Sequence, residues 1–233
     1  MTSVRQYFDK ELEELHLQLI EMGKLVADSI DKTITALKEQ DIELAKEIFA
    51  GDNVVDDMEK AIERRCLNLI ARQQPIAKDL RKISAALKMI TDLERIADHS
   101  ADISELTIRM ANDKYIKPLI DLPKMAEVAK NMVNQAIEAY VSQNIELAKT
   151  VCSSDDEVDA LFLKIVFDLT NIMKERSETV EQAVDLMFIA KYLERMADHA
   201  TNIGEWVIFI DTGEHKDFNK DNEIKNPFVK KDI

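Results

Sequence analysis

Glu94, Asp98, Asp102 and Glu105 are spaced so that, at about 100° per residue on a helix, they fall within an arc of about 80°. Leu93, Ile96 and Ile103 take the other side, leaving one face of this helix acidic. A hundred residues later the pattern returns as Glu194, Asp198, Asn202 and Glu205, with an oxygen donor at every position. Asp52 with Asp56, and Asp155 with Asp159, form two further pairs four residues apart, each stacked on one helical face. Like charges at this spacing cost a helix about 0.2–0.5 kcal/mol per pair, a penalty that a bound cation removes. Acidic faces are also common as solvated surface, and one copy alone would favour that reading. The recurrence of the acids in a second copy, whose other surface residues differ, tips the reading toward metal binding by two facing helices in each half. Oxygen ligands suit magnesium, manganese, calcium or oxidised iron, or zinc bound without thiolates.

Other chemistry finds no anchor. A carboxylate-bridged metal oxidase of the helical-bundle class would carry a His three residues after a Glu. His99 follows Glu94 by five residues, or about 140° around the helix, and His199 follows Glu194 likewise, so packing or hydrogen bonding is the expected role of both. With four Gly in all, there is little room for a nucleophile elbow or a phosphate-cradling loop, and no enzyme is expected. The third alternative is a structural bundle whose acidic faces only keep it soluble.

The elements that must position these acids are helical. Only four Gly and four Pro occur in 233 residues, with 33% charged residues and ten Met, a composition that favours helix over strand. The segment LERIADHSADISE at 93–105 reappears as LERMADHATNIGE at 193–205 with eight of thirteen positions identical, and DIELAK at 41–46 reappears as NIELAK at 144–149. The shift changes from 103 to 100 residues, so the second copy lacks about three residues near the QQP at 73–75. The expected fold is therefore all-α: a tandem duplication of a three-helix bundle, six long helices with pseudo-twofold symmetry, each half burying its own core. Apolar spacing marks helices through Met22, Val26 and Ile30, through Val55, Met58, Ile62 and Leu69, and through Ile83, Leu87, Ile90, Leu93 and Ala97. Breaks are expected at Gln40-Asp41, at Ala50-Gly51-Asp52 with the Asp as N-cap, and at Pro75 as a first-turn proline. The halves are read as 1–113 and 124–212, joined by a linker over 114–123 with Pro118 and Pro123 and followed by a polar tail over 213–233.

A formal charge of −14 repels nucleic acid, anionic membranes and free phosphate at long range, and favours cationic partners. No stretch has the length and apolarity of a signal peptide or a membrane span, so a soluble intracellular chain is expected. Cys66 and Cys152 lie far apart, without neighbours at zinc-site spacing, and are read as buried, reduced thiols.

The run RQQPIAKDLRKISAALKMITDLERIADHSADISE, with its echo FIAKYLERMADHATNIGE, resembles the PhoU family of phosphate-specific transport accessory proteins, and the likeness spans residues from about 10 to 212. The resemblance implies two three-helix bundles in a cytoplasmic homodimer that binds metal through Glu/Asp-x-x-x-Asp motifs. Here these are Glu94 with Asp98, Glu194 with Asp198, Asp52 with Asp56 and Asp155 with Asp159. It further implies a negative regulator of phosphate uptake and phosphate-starvation signalling, with the ATPase subunit of a phosphate ABC transporter and a sensor histidine kinase as partners. Contact with a membrane would be indirect, through those partners. One departure is Asp102, where the family more often has Asn, as the second copy does at Asn202.

Overall fold

The computed structural model describes residues 2–214, with side chains described from residue 6 onward except that of Asp52. The polar tail expected over 213–233 thus lies, apart from Gly213 and Glu214, outside the described residues. Six long helices follow in order: α1 (Thr2–Glu39), α2 (Ile42–Gln73), α3 (Ala77–Met110), α4 (Asp121–Ser142), α5 (Ile145–Glu175) and α6 (Val180–Thr212). A single 3-10 turn (Ser177–Thr179) precedes α6, and no strand occurs among the described residues.

The duplication is visible at the helix ends. Gln40 and Gln143 both adopt left-handed backbone, with φ of 54° and 53°, at the turns after α1 and α4. The next residue caps the following helix in each half. Asp41 Oδ1 accepts the N–H groups of Glu43 and Leu44, and Asn144 Oδ1 accepts that of Leu147. The halves differ where residues were lost. Gln74, Pro75 and Ile76 link α2 to α3, whereas in the second half Arg176 and the 3-10 turn link α5 to α6.

Three sequence expectations are corrected. α2 runs unbroken through Ala50, Gly51 and Asp52, and its N-cap is Asp41. A helical Gly costs about 1 kcal/mol relative to Ala, which packing along a helix of 32 residues readily offsets. Pro75 precedes the cap residue Ile76 instead of opening α3, and α4 starts at Asp121, which puts Pro123 inside its first turn.

Nor do the halves bury separate cores. One continuous hydrophobic cluster runs through all six helices, from Leu15, Leu19 and Met22 of α1 to Ile189, Leu193 and Met196 of α6. α1 packs on α4, and α3 on α6, while α2 and α5 flank this centre. Each fully buried Leu, Ile or Met contributes about 1.5–3 kcal/mol, so joining the halves over one core stabilises both. α3 and α6 run antiparallel, as pairs along their length require: Lys78 with Asp211, Asp92 with His199, and Arg109 with Asp185. Among the described residues no helix is long and apolar enough to cross a membrane. Cys66 and Cys152 are buried and unpaired, their thiols pushed up to about 12 by burial.

Candidate metal sites

The acids gather where α2 meets α3 and where α5 meets α6. In the first half, Asp56 of α2 and Glu94 and Asp98 of α3 each offer a carboxylate oxygen within 4.8 Å of the others. Burial pushes the Glu94 carboxyl up, and the nearby charges of Asp98, Glu59 and Asp56 push the same way. Glu94 Oε2 is buried without a hydrogen-bond partner, its closest cation being Arg95 Nε at 3.4 Å. Arg95 Nη1 also donates to Asp98 Oδ2 at 3.0 Å.

The second cluster is deeper. Ala148, Val151, Val158, Ile165 and Leu169 form the buried stripe of α5, and Asp155 stands on that stripe with only 4% of its surface exposed. Its pKa is pushed up to about 7 by burial first and then by the charges of Asp198, Asp159 and Glu194. Asp198 is raised to about 6 by burial and by Glu194, and Asp159 is raised by the same two causes. Asp155 Oδ1 has no hydrogen-bond partner. Lys191 Nζ donates to both oxygens of Glu194.

These are groups a hard cation would satisfy. Asp155 is buried and the other acids are partly buried, Glu94 Oε2 and Asp155 Oδ1 have no hydrogen-bond partner, and the donors are all oxygens, a set whose chemistry fits a hard cation. Among the described residues, Asp56, Glu94 and Asp98 are the set whose oxygens converge closely enough to share an ion. Asp155, Asp159, Glu194 and Asp198 act on one another electrostatically but bring no three oxygens within 4.8 Å, so they would hold an ion only after a side chain shifts.

Other expected ligands have different company. Asp52 lies in α2, but its side chain is outside the described residues. Asp102 Oδ2 accepts from His99 Nδ1 at 3.2 Å, and Asn202 Nδ2 donates to Asp92 Oδ1 at 3.2 Å, so the structure turns both toward the α3–α6 crossing. Glu105 is exposed, and its counterpart Glu205 is buried beside Cys152. His99 and His199 form contacts at the same crossing, with ring centroids 5.9 Å apart.

Sequence reasoning missed Lys191 and Arg95, the cations beside the clusters, and Asp92, which meets His199. Each departs from the repeat or carries a charge of the wrong sign for a ligand. The change from Thr91 to Lys191 at the shift of 100 residues is the trace that could have revealed the first.

Comparison with known proteins agrees with this architecture. A family model described as the PhoU domain matches residues 19–107 and again 122–207. The chain is 40% identical over 216 residues to a phosphate-specific transport system accessory protein PhoU homolog of Clostridium acetobutylicum, covering 92% of this chain and 99% of the relative. It is 41% identical over 205 residues to the homolog of Aquifex aeolicus, covering 88% and 93%. The crystal structure of PhoU from Pseudomonas aeruginosa superposes with a TM-score of 0.86 at 29% identity, over 89% of this chain and 100% of that one. The phosphate transport system regulatory protein PhoU from Streptococcus pneumoniae gives a TM-score of 0.85 at 28% identity, over 90% and 99%. These relatives are named as accessory and regulatory proteins, not as enzymes. With both repeats matched and the fold shared along nearly the whole chain, this protein belongs to the PhoU family.

Proposed function

We propose that this protein regulates phosphate uptake and phosphate-starvation signalling as a metal-binding adaptor. In this reading it is a cytoplasmic homodimer that acts negatively, contacting the ATPase subunit of a phosphate ABC transporter and a sensor histidine kinase. The names of its relatives support the link to phosphate transport. The observation that carries the adaptor reading is the convergence of Asp56, Glu94 and Asp98 across α2 and α3, together with the electrostatically coupled acids Asp155, Asp159, Glu194 and Asp198 across α5 and α6. A metal ion of the magnesium, manganese, calcium, iron or zinc group would cross-link α2 to α3 and α5 to α6, stiffening the faces a partner would read. The His residues, held by Asp102 and Asp92, give the oxidase alternative no support.

Elemental analysis of the native protein beside the quadruple variant Glu94→Ala, Asp98→Ala, Glu194→Ala, Asp198→Ala tests the metal. The native protein should carry metal and the folded variant should not; a native protein free of metal that ignores added ions would refute the sites. A phosphate-starvation reporter in cells lacking the protein tests the regulation. It should be switched on in phosphate-rich medium, and an unchanged reporter would count against the negative role.

A further inference from the structure

The second carboxylate cluster already contains a cation supplied by the chain itself. Lys191 Nζ bonds both oxygens of Glu194 and sits 5.5 Å from the centre of the Phe162 ring on α5. The ammonium is therefore held between α5 and α6, with its charge also acting on Asp159 and Asp198. An ordinary helix-surface pair three residues apart has neither an aromatic seat on a second helix nor a set of acids around it. Beside it, Asp155 is 4% exposed and its Oδ1 is unpartnered, so the cluster still lacks a positive charge at its deepest point.

The first half is arranged differently. The residue at the corresponding position is Thr91, whose hydroxyl donates to Glu59 Oε1 at 3.1 Å. Its nearby cation, Arg95, has a side chain 55% exposed against 42% for Lys191, and it bonds Asp98 while approaching only one oxygen of Glu94, Oε2, at 3.4 Å.

We propose that Lys191 is a built-in competitor for the cation at the second site, neutralising Glu194 until a metal ion displaces its ammonium into solvent. The proposal rests on the reading of this cluster as a metal site. Competition follows from shared atoms: Glu194 cannot give both oxygens to the ammonium and also ligate an ion, and two cations at one carboxylate repel. The second site then binds more weakly than its four carboxylates alone would bind. Filling it moves one side chain off Phe162 and changes the α5–α6 surface, which couples occupancy to what a partner could contact.

The test is calorimetric titration of the full chain, stripped with a chelator, with Mn2+ alone. A Glu94→Gln, Asp98→Asn background silences the first site. In that background Lys191→Gln should bind Mn2+ about 10- to 100-fold more tightly, the range expected for releasing a hydrogen bond between charged groups. Lys191→Arg, which keeps a cation there, should retain the weaker affinity. Equal affinity for Lys191 and Lys191→Gln, with binding intact, overturns the competitor role alone. Absence of Mn2+ binding by the unmutated protein overturns both this proposal and the metal reading. Acylation of Lys191 in the unmutated protein, followed by mass spectrometry, supplies a second readout without any substitution. Mn2+ should raise its rate, and an unchanged or slower rate would also overturn the proposal.

Discussion

His199 Nδ1 donates to Asp92 Oδ1 at 2.9 Å across the α3–α6 crossing, whereas its counterpart His99 stacks on Tyr192, the residue that replaces Asp92 in the second copy, at 5.3 Å. A twofold pair of sites has thus diverged into one polar contact and one aromatic contact at the seam between the halves. Asp92 also accepts from Asn202 and has a side chain 13% exposed, so Asp92→Ala would leave two donors unmatched. The expected loss is about 1–3 kcal/mol, seen in thermal circular dichroism as a fall of about 2–4 °C per kcal/mol. An unshifted transition would show that the crossing does not depend on this contact.

Arg109 Nε donates to Asp185 Oδ2 at 2.9 Å, and a second guanidinium nitrogen bonds Oδ1, giving a two-point contact between the end of α3 and the start of α6. Asp185 is buried while Arg109 is 60% exposed, so the two substitutions should differ. Arg109→Ala strands a buried carboxylate and should cost about 1–3 kcal/mol in urea unfolding; Asp185→Asn should cost less. The reverse order would disprove this account.

Two helical glycines should respond oppositely to Ala. At Gly51 a Cβ would meet nothing within 4 Å, so Gly51→Ala should stabilise by about 0.5–1 kcal/mol through helix propensity. At Gly204 it would lie 3.1 Å from the Ala148 carbonyl oxygen and 3.2 Å from Cys152 Sγ, where backbone must yield. Gly204→Ala should therefore destabilise, by about 1–2 kcal/mol after its propensity gain. Chemical denaturation of both variants decides the matter, and a stabilised Gly204→Ala would show that α5 and α6 separate easily.

The buried acids predict a pH dependence of definite sign. Asp155 and Asp198 titrate near about 7 and about 6 in the fold, above the ordinary carboxylate range near 4. Between those values the folded state binds more protons than the unfolded state, so stability falls as pH rises through the interval. In chelator, an Asp155→Asn, Asp198→Asn variant should gain on the unmutated protein in melting temperature as pH is raised from about 5 to about 8. Metal addition should narrow the gap at high pH, because ligands must be ionised to bind. A gap independent of pH would refute the assignment.

Much of this protein was determined by sequence alone. Helical periodicity, scarce Gly and Pro and the internal repeat led to six helices in two related halves, and the doubled acids led to Glu94, Asp98, Asp155, Asp159, Glu194 and Asp198. The helical inferences hold because a helix's face follows from residue spacing alone, while the role of the acids as ligands is what elemental analysis would test. What lay between helices was decided only by tertiary structure. Asp102 and Asn202 share the arc of the acids, yet Asp102 bonds His99 three residues back on α3, and Asn202 reaches Asp92 across the α3–α6 crossing, a partner that spacing along one helix cannot reveal. Gly51 reads as a break but lies within α2, because helix packing outweighs a local preference of about 1 kcal/mol. The single core arose the same way. Whether two amphipathic bundles bury their stripes separately or against each other depends on shape matching across α1–α4 and α3–α6, and no property of one helix carries that information.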